Sequence, residues 1–195
     1  MLYPETRRGD VVDETFGERV ADPYRWLEND VREDQEVAQW VEKQNAVTEA
    51  ALAELPGHEW LTETLTELID YERYGIPTRA GGKYFYSYNP GLLNQAQLFV
   101  RDGWDGEGRL LVDPNKWAED GATALSGYEP SSNGKYLAYE IQDGGTDWRI
   151  IRVLDVATGR VLDDELRWAK YSGDIQWMGD EGFFYSKFPA TGEKP

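Results

Sequence analysis

The sequence predicts a mainly β protein with an N-terminal helical arm, its β part arranged as a partial propeller. Three observations carry this reading. Hydrophobic residues repeat at helical spacing through the first 75 positions and at spacing two thereafter. The charge is uneven: residues 1–75 hold 19 acids and 7 bases, residues 76–195 hold 18 and 13. Similar strand openings also recur, with their leading glycines at 82, 134 and 182, spaced by 52 and 48 residues. A repeat of roughly 40–50 residues holding about four short strands marks a propeller blade. A plain antiparallel sandwich remains the alternative, because its strands alternate too. The division expected is an arm over 1–75 and blades over 76–195. About two and a half blades fit, too few to close a ring.

In the arm, Asp22-Pro23 reads as a helix start, with Tyr24-Arg25-Trp26-Leu27 the short helix. Glu33 and Asp34 suit the next helix N-terminus. Val37, Trp40, Val41, Val47, Ala51 and Leu52 then fall mostly on one face, and Pro56-Gly57 closes the helix. A second amphipathic run carries Leu61, Leu65, Leu68 and Ile69. Trp26, Trp40 and Trp60 suggest that both helices pack on a larger surface.

After Gly75-Ile76-Pro77 the strands begin. Tyr84-Phe85-Tyr86-Ser87-Tyr88, Gln97 to Arg101 and Arg109 to Val112 are separated by Asn-Pro-Gly, Asp-Gly and Asp-Pro-Asn turns. Asn133-Gly134 leads into Lys135 to Tyr139, and Trp148 to Leu154 is followed by a turn and Arg160-Val161-Leu162. Trp177 and the stretch Phe183 to Ser186 open a third unit.

Composition excludes several functions. The chain of 195 residues has 20 Lys+Arg against 37 Asp+Glu, a net charge of −17. That charge opposes nucleic acid and anionic membrane surfaces. Hydrophobic residues at 40%, with eight Trp and twelve Tyr, are too many for a disordered acidic tail. No apolar run reaches membrane-spanning length. The start, with no apolar core behind Arg7 and Arg8, does not read as a signal peptide, so a cytoplasmic location is expected. Without cysteine there is no disulfide, thiolate metal site or cysteine nucleophile.

Catalytic chemistry is scarce. His58 is the single histidine, and it reads as a solvated residue without relay or zinc partners. Ser126 and Ser172 each precede glycine but lack a strand–turn–helix elbow. Asp143-Gly144-Gly145-Thr146-Asp147 reads as a hairpin turn rather than a calcium loop, because it lacks the alternate acids and distal Glu. Gly103 to Gly108 carries acids that would repel phosphate. No catalytic residue, metal or cofactor is assigned.

Several stretches are nevertheless distinctive. Val11-Val12-Asp13, Gly17 and Val20 to Glu28 form one. Val41 to Asn45 with Thr48 forms another, followed by Lys83 to Asn89 and Gly91-Leu92 with Asn94-Gln95. Leu111 to Asn115, Gly134 to Tyr139, Asp147-Trp148, Lys170-Tyr171-Ser172 and Trp177 continue in order. This ordered series resembles the N-terminal part of the prolyl oligopeptidase family, although Phe16 stands where members often have His. The resemblance implies a serine endopeptidase that cuts short peptides after proline. It implies a seven-bladed propeller that gates substrate, and an arm that packs on a C-terminal α/β-hydrolase segment holding the Ser, Asp and His. Those three roles fall on no residue here, so this chain alone is expected to be inactive, as a fragment, truncation or split half would be. The resemblance carries one functional residue across, Tyr171, as a substrate-pocket aromatic. A non-catalytic propeller-type binding or regulatory module is the alternative.

Overall fold

The β segments of this chain form open sheets, not a closed ring. The computed structural model describes residues 2–170 and 175–189. Two compact units divide the chain, residues 1–67 and 68–195.

The first unit opens with a hairpin, β1 (Val12–Thr15) and β2 (Glu18–Ala21), in a stretch where the sequence predicts no strand. Its two-residue turn is Phe16-Gly17, with φ of 54° and 81°. Positive φ at both positions matches the right-handed twist of the strands. The short helix at Arg25–Glu28 is 3₁₀ rather than α. Asp22 does not cap it as a standard N-cap. Its carboxylate accepts from the Tyr24 amide at 3.3 Å and from Arg25 Nε at 2.5 Å.

Helix α1 (Gln35–Ala53) starts where the acids predicted. Asp34 is its N-cap, accepting from the amides of Glu36 and Val37 at 2.8 and 3.3 Å. Val37 is buried, and Trp26 packs edge-on against Trp40 at 6.4 Å. Arg7 lies 4.9 Å from the Trp26 ring and pairs with Glu36. Helix α2 (His58–Ile69) buries none of its residues. Its Leu61, Leu65, Leu68 and Ile69 are all exposed, Leu65 at 56% and Leu68 at 65%, as is Trp60.

The second unit is β. Its first sheet contains β3 (Arg73–Tyr74), β4 (Thr78–Ala80), β5 (Lys83–Asn89), β6 (Gln97–Asp102) and β7 (Arg109–Val112). The order is β3-β5-β6-β7, with β4 also on β5. The second sheet is a four-stranded meander of β8 (Ala124–Pro130), β9 (Tyr136–Gln142), β10 (Trp148–Asp155) and β11 (Val161–Lys170). Strand β8 is not among the strands that the sequence predicts, because its Gly127 and Pro130 look like turn residues. The pair β12 (Gln176–Met178) and β13 (Gly182–Phe184) begins a third sheet. Gly82 and Gly134 lie in the turns before β5 and β9, and Gly182 begins β13, so each lies past the first strand of its unit rather than opening it.

Alternation along the strands produces two cores. Phe85, Leu98, Val100 and Val112 of the first sheet meet Leu137, Tyr139 and Leu154 of the second, with Val156 beside them. Ala138, Ile151, Val153 and Ala169 on the opposite face of the second sheet pack toward Ile175, Trp177 and Phe183. The second sheet is therefore covered on both faces. Trp177 Nε1 also donates to the Glu129 carbonyl at 2.8 Å, and burial raises the Glu129 carboxyl above its ordinary range.

Candidate functional site

Tyr171 and Ser172, singled out above, lie outside the described residues, as do Lys194 and Pro195. Strand β11 ends at Lys170, the residue that precedes Tyr171 in sequence. Between Ala169 and Leu166 of β11 the register to β10 slips, because two residues there, Arg167 and Trp168, oppose one, Ile150. Trp168 lies in that bulge with φ of 68°. A bulge re-aims its side chain, and a non-glycine residue in this region is strained. The Trp168 ring meets Trp148 edge-on at 5.2 Å. Phe188 donates its amide to the Trp168 carbonyl at 2.8 Å, and its ring lies 6.4 Å from Trp148.

Lys170 Nζ stands 4.4 Å from the Trp148 ring centre and 3.8 Å from Asp147. The predicted turn at 143–147 joins β9 to β10 as an antiparallel hairpin. It is held by Thr146 N to Asp143 O at 3.0 Å and by Gln142 Nε2 to Thr146 O at 2.7 Å. Beneath it, Arg149 donates to Glu140 at 3.0 Å, with both side chains mostly buried. A rigid polar pair thus supports a corner of two indoles, a phenyl ring and a cation. Such a corner can pack an apolar ring and orient a carbonyl or carboxylate. Sequence reasoning passed over Trp168, because a bulge is a property of strand pairing and leaves no local motif.

Among the described residues, the corner holds no nucleophile. Ser126 donates to the Glu140 carbonyl at 3.4 Å, a structural role in the sheet. His58 is the exposed first residue of α2, a solvated position as expected. Among the described residues, no group of three or more acids and histidines could hold a metal. Among them, no helix is long and apolar enough to cross a membrane.

A family model described as prolyl oligopeptidase, N-terminal β-propeller domain, matches residues 3–195. The chain belongs to the prolyl oligopeptidase family. It is 40% identical over 188 residues to prolyl endopeptidase of Elizabethkingia meningoseptica, covering 96% of this chain and 26% of the relative. It is 34% identical over 221 residues to prolyl oligopeptidase A of Amanita bisporigera, covering 98% and 28%. The chain thus spans about a quarter of the length of the curated relatives it matches.

Among solved structures, prolyl oligopeptidase B of Galerina marginata, bound to a 35mer hydrolysis and macrocyclization substrate, superposes with a TM-score of 0.76. The two are 29% identical, over 97% of this chain and 30% of that one. A structure from a study of two prolyl endopeptidases matches at 48% identity and TM-score 0.58, over 96% and 27%. The open sheets are the first blades of the family's propeller.

Proposed function

We propose that this chain is the N-terminal segment of a serine endopeptidase that cleaves short peptides after proline. It supplies substrate gating and domain packing, while the catalytic Ser, Asp and His reside on a C-terminal α/β-hydrolase segment. The arm is residues 1–75 and the blades are 76–195 of a seven-bladed ring. The observation that carries this reading is the 40% identity running through 96% of the chain to a prolyl endopeptidase.

The exposed stripe of α2 supports the packing role. Leu61, Leu65, Leu68 and Ile69 line one side of the helix with no cover from their own unit. Covering such a stripe contributes about 25 cal/mol per Å² of apolar area. The occupant proposed is the hydrolase segment. Tyr171 would line the substrate pocket, with short proline peptides as the partner. A cytoplasmic setting belongs to the same reading, in keeping with a chain that has no cysteine.

Co-expression with the remaining C-terminal segment of the Elizabethkingia meningoseptica enzyme tests this. The expected result is a co-purifying complex that hydrolyses a Gly-Pro chromogenic substrate and is blocked by a serine reagent, with no hydrolysis by this chain alone. Hydrolysis by this chain alone, or failure to form a complex, would overturn the reading. A stable, cooperatively melting monomer that ignores the segment would favour a binding module instead.

A further inference from the structure

Asn133 is followed by Gly134, and no other asparagine of the chain precedes a glycine. A glycine in that place has no side chain to shield the asparagine Cγ from the next backbone nitrogen. The turn between β8 and β9 prepares this side-chain amide for attack. Asn133 Oδ1 accepts from the Ser131 hydroxyl at 3.0 Å and from the Lys135 amide at 2.9 Å. Ser131 is fully buried and its Oγ accepts from the Tyr136 amide at 3.0 Å, which leaves its proton directed at Asn133. Two donors on one carbonyl oxygen stabilise the negative charge that develops there when the carbon is attacked. The Asn133 side chain is also exposed, so water reaches it.

The nucleophile, by contrast, is restrained. Gly134 is buried, and its amide donates to the Ser131 carbonyl at 2.7 Å. A Cβ on Gly134 would lie 2.7 Å from the Ala80 carbonyl oxygen, and one on Gly81 would overlap the Asn133 carbonyl. The first sheet therefore packs directly on the Asn133–Gly134 peptide. From the other side, Asn133 Nδ2 donates to the carboxylate of Asp180, in the turn before β13. Bringing the Gly134 nitrogen onto Cγ requires one of these grips to open.

We propose that Asn133 is a deamidation site, held latent by its contact with Asp180. When that contact opens, the Gly134 nitrogen attacks Cγ and the new N–C bond closes a succinimide ring. The Cγ–Nδ2 bond breaks, and ammonia leaves with the proton that Gly134 gives up. Water then opens the ring to aspartate or isoaspartate. Aspartate sets a carboxylate against Asp180, where like charges repel. Isoaspartate adds a methylene to a main chain that has no room beside Gly81. Either product permanently loosens the junction between the second and third sheets. The inference needs only this chain and stands apart from the function proposed above.

The test incubates wild type, Asp180→Ala and Asp180→Asn at mildly alkaline pH, where loss of the Gly134 amide proton speeds ring closure. Peptide mass spectrometry follows loss of the Asn133 amide and gain of isoaspartate. Wild type in guanidinium chloride sets the unrestrained rate, and wild type in buffer is expected to be tenfold slower or more. Asp180→Ala should recover most of that difference, whereas Asp180→Asn, which keeps an acceptor oxygen, should stay near wild type. Asn133→Asp, which carries the product's charge, should melt below wild type. Combining it with Asp180→Asn restores a donor and an acceptor across the junction and should raise the melt again. Equal rates in buffer and denaturant overturn the proposal, as does Asp180→Ala that keeps its Asn133 amide as long as wild type. If Asp180→Ala shows no cooperative melt, the paired variants carry the test. An unchanged melt for Asn133→Asp, or no recovery in the combination, then overturns the proposal.

Discussion

The amide of Gly81 donates to the carbonyl of Ser132 at 3.1 Å, tying the inner turn of the first sheet to that of the second. Gly81 has φ of +55°, and a Cβ there would overlap the Asn133 carbonyl. The next turn continues the series, because the Asn133 side chain donates to Asp180 in the turn before β13. Each blade therefore hands its inner turn to the next.

Gly81→Ala is expected to destabilise the chain by more than the ~1–3 kcal/mol that backbone strain alone costs. Gly82→Ala also sits at positive φ, +78°, but meets nothing within 4 Å. It should cost only the strain. Urea unfolding of both variants separates the two terms, and equal losses would remove the handover from the account.

Phe85 is fully buried between the first two sheets. Phe85→Ala should cost about 3–5 kcal/mol. Leu65→Ala on the bare stripe of α2 should stay within about 0.5 kcal/mol for the chain alone, since its side chain has little cover to lose. The same Leu65→Ala should weaken complex formation with the hydrolase segment. Thermal melts of the chain and of the complex supply both halves.

Phe16 occupies a left-handed turn position with its ring fully exposed. Asn tolerates that backbone far better than Phe, and Asn-Gly suits this hairpin turn. Phe16→Asn should raise stability by about 0.5–1 kcal/mol. Chemical denaturation measures it, and an unchanged midpoint would show that the left-handed backbone at Phe16 costs no stability.

The Asp155 carboxyl is held below its ordinary range, first by the Thr158 hydroxyl and next by the Thr158 amide. A depressed folded-state value adds stability that is present above the unfolded carboxylate value of about 3.9 and lost as pH falls through the folded value. Acidification below about pH 4 should therefore loosen the 155–159 turn. Asp155→Ala should lower stability at pH 7 and narrow the difference between pH 7 and pH 3. Hydrogen exchange at Thr158 and Gly159 across that range reports it.

Much of this was legible along the chain. Helix α1 began at its acids because an N-cap is a local exchange between one carboxylate and two nearby amides. Strands β5, β6, β7, β9 and β10 announced themselves by alternation and by the turn residues between them. The hairpin β1–β2 and strand β8 did not. Phe16 and Gly127 run against the local preferences of their positions, and only the pairing partner makes them strand or turn. The Trp148–Trp168 corner was hidden for the same reason, since a two-against-one register slip exists only between strands.

Local chemistry along the chain thus settled helix α1, most of the strands, the repeat and the family, all of which depend on neighbours within a few residues or on regular spacing. The assembled fold decided which face of each sheet is covered, what grips Asn133 from both sides, and why Gly81 admits no side chain. Those outcomes depend on atoms brought together from distant parts of the chain, and burial and close approach are properties of that assembly.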